Sequence, residues 1–224
     1  MKRIVYFAAA ALLIVSCSKE TVSSTQGKGF QAVDLGLSVK WANANLGAKA
    51  PEEFGNYYAW GETEVKENYF WNTYKWCNGS YNTLTKYNTS SSYGAVDNTT
   101  VLVPEDDVAH VKLGGSWRMP TDAEWTELRT QCTWTWTTQN GVNGSLVTSN
   151  KNGNSIFLPA AGYWLNTYLD LVGSYSFYWS SSLGTGGPFG ARGAFFGSDG
   201  FGSYDVIRAD NERYYGQSVR PVSE

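Results

Sequence analysis

Runs with a helical hydrophobic period are rare in this chain, and that scarcity limits its fold more than any other feature. Thr, Ser, Asn and Gly are abundant and interrupt most apolar stretches. Such a sequence favours many short strands joined by polar turns. The apolar area for a core must then come from a few large side chains. Ten Trp, fifteen Tyr and ten Phe supply much of it. The 224 residues have the size of one large domain or two small ones. No internal repeat and no second core pattern divides them, so one domain is the simplest reading.

Along the chain, "VDLGLSVKWANANLGA" alternates Val33, Leu35, Leu37, Val39 and Trp41 with Asp34, Gly36, Ser38 and Lys40. That pattern predicts a half-buried strand. "EEFGNYYAWGETE" reads as a short strand or turn packing Tyr57, Tyr58 and Trp60 between Gly55 and Gly61. Residues 68–100 show no period and read as a long loop with short strands. A helix is expected from Pro104 to Lys112, with acidic residues at its positive end and Gly114 and Gly115 stopping it. A second helix starts at the N-cap Thr121, where Glu124 completes a capping box and Trp125 and Leu128 share a face. Strands follow at "TWTWTTQ" from Thr133, at "SLVTSN" after a "GVNG" turn, at Ile156–Leu158, and at "SFYWSSS" and "QSVRPV". The fold class is α+β.

Ser182 to Ser203 holds eight glycines and four phenylalanines between two segments that look rigid. Phe189, Arg192, Phe195, Phe201, Tyr204, Arg208, Tyr214 and Tyr215 are interleaved with Gly, Ser, Asp and Asn. This is the palette of a recognition surface, in which rings give contact area, Arg gives directed hydrogen bonds, and small residues adapt. The competing reading is a strand at "GAFFGS" that turns its rings inward. Phe196 is assigned to the core and Phe195 to the outside. Trp179 and Val219 are assigned to the core, and Arg220 to a buried carboxylate or carbonyl.

A net charge of −3 with no basic stripe excludes nucleic acid as a natural partner. His110 is the only histidine and no G-x-S-x-G motif occurs, so a His-dependent nucleophilic triad has no obvious members. Asp106 and Asp107 form a carboxylate pair, but acidic residues early in a helix have a simpler explanation. Two distant thiols and one His make no metal site. Cys77 and Cys132 fit either a disulfide or burial as small apolar side chains.

The N-terminus carries a positive n-region at Lys2 and Arg3 and an apolar run from Ile4 to Val15, too short to span a bilayer. It reads as a signal peptide. Its end, Ile14, Val15, Ser16 and Cys17, resembles a bacterial lipobox. That likeness implies acylation of Cys17 and stable membrane anchoring through several acyl chains. Residues 1–16 would then be the signal peptide, 17–30 a flexible tether, and 31–224 the folded domain. "SKE" after Cys17 is similar to the short acidic export signals of surface lipoproteins, and an ordinary polar tether would look the same. The expected location is the outer membrane, with the domain facing either the periplasm or the outside.

"WRMPTDAEWTEL", "IFLPAAGY", "YWSSS" and "GQSVRPV", in that order, resemble the C-type-lectin-like fold. The branch is the one shared by formylglycine-generating enzymes and the Fibrobacter-type major paralogous domain of surface lipoproteins. The likeness covers Trp117 to Val222. The "VDLGLSVKWANANLGA" opening is also similar to lipoproteins of that kind. It implies short antiparallel strands, about two helices, long irregular loops, and terminal strands meeting at a base. Formylglycine-generating chemistry uses a C-terminal cysteine pair with copper, and no cysteine follows Cys132. The "EPN", "QPD" and "WND" motifs of calcium-dependent sugar lectins are also missing. The expectation is therefore a non-catalytic ligand-binding or adhesion protein without cofactor or metal. Its partner would be a protein or glycan on another cell, a phage or a host surface. A fixed structural or glycan-binding surface subunit is the alternative, and a formylglycine-generating-type enzyme a remote one.

Residues 183–215 further resemble the variable region of proteins diversified by retroelements. There, miscopied adenines turn Asn-type codons into many others, but never into Trp, Lys, Glu, Gln or Met. Between Leu183 and Asn211 this chain contains none of those five. Diversification predicts a near-copy of the Tyr178–Val222 coding segment beside the gene, differing only where the copy has adenine, with a reverse transcriptase gene adjacent. Sequencing the flanking DNA checks this, and a flank with neither leaves a fixed surface.

Overall fold

The computed structural model describes residues 30–198 and 209–224. The signal peptide, Cys17, nearly all of the tether, and Phe201, Tyr204 and Arg208 lie outside the described residues. Strands β1 (Ala32–Val33), β2 (Lys40–Ala42) and β11 (Val222–Ser223) form a small sheet in the order β1-β2-β11, which joins the two ends of the described chain. Helices α1 (Val108–Leu113) and α2 (Asp122–Gln131) lead into a meander of β3 (Cys132–Gln139), β4 (Val142–Ser149) and β5 (Ser155–Pro159). A hairpin of β6 (Tyr163–Leu165) and β7 (Tyr168–Asp170) follows. The third sheet, in the order β10-β9-β8, comprises β8 (Tyr175–Leu183), β9 (Gly190–Gly197) and β10 (Ala209–Glu212). The strands pair antiparallel throughout these sheets, so the fold is mixed α+β.

Several elements depart from the sequence reading. The strand expected over Val33–Trp41 is instead a hairpin, because Gly36 takes a φ of +66° and the Asp34 carboxylate accepts its N–H. The alternation still predicts burial, since Leu35, Val39 and Trp41 are all buried. The first helix begins late. Pro104–Asp106 is a 3-10 turn, and Asp107 caps α1 by accepting from Ala109 and His110. The second helix forms as expected, with Thr121 and Glu124 closing the capping box. The β3–β4 turn is Asn140–Gly141, two residues with positive φ, rather than "GVNG". Asn-Gly is the pair that such a tight hairpin favours, and Val142 already belongs to β4. Residues 68–100 hold two 3-10 turns and isolated bridges where short strands were expected. Both remaining cysteines are free, Cys132 buried and Cys77 half-buried with its thiol donating to the Trp71 carbonyl.

The core divides on the two faces of β8. Tyr178 faces a cluster with Trp41, Trp125 and Phe196, whereas Trp179 faces another with Trp60, Leu183 and Val219. Successive strand residues point to opposite faces, so one strand serves both clusters. "QSVRPV" is buried but is no regular strand until β11. It runs between other elements and forms backbone hydrogen bonds with Tyr58, Phe177, Trp179, Leu46, Ala42 and Arg118. Arg220 is fully buried there. It donates to the side-chain carbonyl of Asn45 and to the backbone carbonyls of Ala42 and Phe157, at 2.8–3.0 Å. The expected buried partner is therefore a set of carbonyls. Burial pulls the Arg220 guanidinium below its usual value, against the opposing influence of Tyr178.

Trp179 is fully buried and its indole donates to the Tyr58 carbonyl at 2.8 Å. Trp179→Ala opens a cavity, while the Tyr58 carbonyl keeps the bond it accepts from the Gln217 N–H. The substitution should lower unfolding free energy by about 3–5 kcal/mol in a denaturant titration.

Candidate ligand-binding surface

Ten aromatic rings touch in an unbroken series over one side of the third sheet. The series starts on the strands. Tyr175 stacks on Phe195 (ring centroids 5.1 Å apart), Phe195 meets Phe177 (4.7 Å), and Phe177 meets Tyr163 of β6 (4.6 Å). It continues through Tyr215 (5.4 Å), Tyr214 (4.8 Å) and Trp71 (5.1 Å). It ends in a triangle at the β8–β9 turn. Trp71 meets Tyr81 at 6.5 Å, and Tyr81, Tyr93 and Phe189 lie 5.5–6.3 Å from one another. Tyr81 is 49 % exposed, Phe177 and Tyr214 are buried, and the other seven are half-buried. Each pair lies within the range of favourable edge-to-face or offset contact. The rings are therefore fixed by one another while leaving edges and faces open.

Four candidates from the sequence belong to this series: Phe189, Phe195, Tyr214 and Tyr215. Tyr214 is only 9 % exposed and serves mainly as a link. Phe195 is half-buried between Tyr175 and Phe177 rather than freely outward, and Phe196 is core as assigned. Arg192 does not belong to the aromatic series and is not offered on that side of the sheet. It is 8 % exposed, because its Nη2 donates to Thr185 Oγ1 at 2.6 Å and its Nε lies 3.5 Å from Asp210 Oδ1. Strand alternation sends it to the face opposite Phe195. Sequence reasoning missed Trp71, Tyr81, Tyr93, Tyr163, Tyr175 and Phe177 as members of the series. For Trp71, Tyr81 and Tyr93 a signal was present: a ring in a polar, aperiodic stretch has little within that stretch to pack against, so it must meet another segment or water.

The loops holding these rings are tied from below. Arg213, fully buried, donates to the carbonyls of Lys86, Tyr87 and Pro188 and to the Tyr74 hydroxyl, at 2.8–3.1 Å. Its guanidinium also lies over the Trp60 and Tyr74 rings. One side chain thus fastens the 74–87 loop to the turn that carries Phe189. Burial raises the Tyr74 hydroxyl above its usual value, so it stays protonated and donates to the Trp60 carbonyl. The loop bearing Tyr93 is closed by Asp97, whose carboxylate accepts from the N–H groups of Tyr87, Asn88 and Thr99 at 2.8–3.1 Å. On the sheet, Gly193 allows β9 to approach β8, since a Cβ there would stand 2.5 Å from the Tyr178 carbonyl oxygen.

Among the described residues no three His, Cys, Asp or Glu side chains gather as metal ligands. Among them, too, no helix is long and apolar enough to cross a membrane. Comparison with family models, curated proteins and solved structures returns no match.

Burial works to raise the Asp97 carboxyl, but the N–H groups of Asn88, Thr99 and Tyr87 outweigh it and hold the group below its ordinary value of 3.8. A lowered folded value adds stability that is full above pH 3.8 and is lost as pH falls through the folded value. Amide exchange over residues 88–99 should therefore accelerate as pH drops below 3.8, relative to intrinsic rates. Asp97→Ala should produce the same loosening at neutral pH, by about 1 kcal/mol of local opening energy, since the exposed carboxylate is screened by solvent. Hydrogen-exchange mass spectrometry reads both.

Proposed function

We propose that this chain is a non-catalytic ligand-binding protein of the C-type-lectin-like kind, anchored in the outer membrane through a lipid on Cys17. It captures a macromolecular ligand, a protein or glycan of another cell, a phage or a host surface, on its aromatic series. The observation that carries the reading is the series itself: ten rings from five separate segments, most of them partly open, on a backbone fixed by buried hydrogen bonds. Rings pre-positioned in this way offer large contact area without an ordering penalty at the moment of binding. The fold assignment draws support from the small antiparallel sheets, the two helices, the pairing of the chain's ends in one sheet, and the long irregular stretch between β2 and α1.

Tyr81 and Phe189 are the pair to remove, since they close the open end of the series and neither sits in a core cluster. The double variant Tyr81→Ala/Phe189→Ala should weaken binding to immobilised glycans or to intact cells by about thirtyfold, or about 2 kcal/mol. Its denaturant midpoint should stay close to that of the parent protein. A collapse of stability would make the rings core, and unchanged binding would move the site elsewhere.

A further inference from the structure

A cavity of about 490 Å³ lies on the other face of β9, against the first turn of α2. Its size is that of a small-molecule site. Thr100 and Val101 form one wall, and Thr121, Asp122 and Ala123 another. Ser182, Leu183, Thr185 and Arg192 complete it. We propose that this cavity is a separate subsite for one neutral sugar residue, bound without metal. The inference does not rest on the aromatic series.

Arg192 is the built part of the site. Its side chain is almost wholly buried, yet it lines the cavity. Thr185 holds Nη2 and Asp210 lies beside Nε, which leaves Nη1 without a hydrogen-bond acceptor among the described residues. Asp210 is itself fixed, because its Oδ2 accepts from the N–H groups of Thr185 and Gly186. The donor is therefore held in place before any ligand arrives.

Charge decides the ligand class. Asp210 lies beside the Arg192 guanidinium and offsets its charge, so an anion would meet little net positive field. A ligand made of hydroxyls fits better, because each hydroxyl both donates and accepts. The cavity presents a guanidinium donor and the hydroxyls of Thr100, Ser182 and Thr185; the Ser182 and Thr185 oxygens already accept from the Asp122 N–H and from Arg192, which leaves their O–H groups to donate. Val101, Ala123 and Leu183 supply apolar surface for C–H groups between them. A pyranose carries both kinds of surface in one rigid ring.

The test is an amide NMR titration of the protein with methyl glucoside, methyl galactoside, methyl mannoside and N-acetylglucosamine, with glucuronate as the anionic control. At least one neutral sugar should shift the amides of Thr100, Ala123 and Thr185 saturably, with a dissociation constant on the order of 1 mM or tighter. Val101→Trp and Thr100→Trp each fill the cavity from exposed rim positions and should weaken that binding at least tenfold. Arg192→Lys, which keeps the charge and loses the fork, should weaken it similarly. The Tyr81→Ala/Phe189→Ala protein should keep these shifts, so failure here and failure of the aromatic surface are read separately. No shift with any neutral sugar, stronger binding of glucuronate, or undiminished binding by both filled variants would overturn the proposal.

Discussion

A guanidinium with no carboxylate partner among the described residues holds the aromatic side of this molecule together. Arg213 meets three backbone carbonyls and a tyrosine hydroxyl, and its faces lie against Trp60 and Tyr74. Burying a charge is costly unless its donors are satisfied, and here all the acceptors come from loops and turns. The arrangement runs both ways. Irregular backbone leaves carbonyls that no ladder can use, and a planar side chain with five donors can serve several of them at once. Removing it would strand the carbonyls of Lys86, Tyr87 and Pro188 in the interior.

Arg220 solves the same problem seven residues later. It ties the stretch after β2 to β5, while the backbone between the two arginines bonds to Tyr58, Trp164 and Trp179. The segment is almost wholly buried and carries few regular pairings of its own. It acts as a spine on which segments distant in sequence are registered. The aromatic series then follows as a consequence. Trp71, Tyr81 and Tyr93 come from a stretch with no regular sheet partner, and Tyr81 and Tyr93 meet Phe189 because Arg213 fixes that stretch to the β8–β9 turn.

Legibility in the sequence followed the range of the interaction. The capping box of α2, the alternation of β3 and the apolar run of β5 are local signals, and each element forms where those signals place it. Burial in the opening segment was also readable, although Gly36 breaks the strand that its alternation suggested. The burial of Arg192 was not readable. It depends on Asp210 and on the pairing of β9 with β10, and nothing near Arg192 in sequence announces it. Likewise Trp71 and Tyr81 gain their meaning only from a turn more than a hundred residues away. β6 and β7 are three residues each, too short for any period to show.

The glycine-rich stretch therefore has two kinds of position, and they set limits on any variation it can carry. Ala191, Ala194 and Phe196 are core, Gly193 is pressed against β8, and a Cβ at Gly197 would strike the Tyr175 ring. Arg192 is locked by Thr185 and Asp210. A segment diversified without regard to these contacts would lose β9, and with it the shared wall of both core clusters. Phe189 and Ser198 are free of such constraints, whereas Phe195 is half-buried among rings of the series and packs against one core cluster. Under the proposed function, recognition in this stretch would fall to the β8–β9 turn and to isolated outward positions. The glycines hold the strand close enough to β8 for those few side chains to be presented.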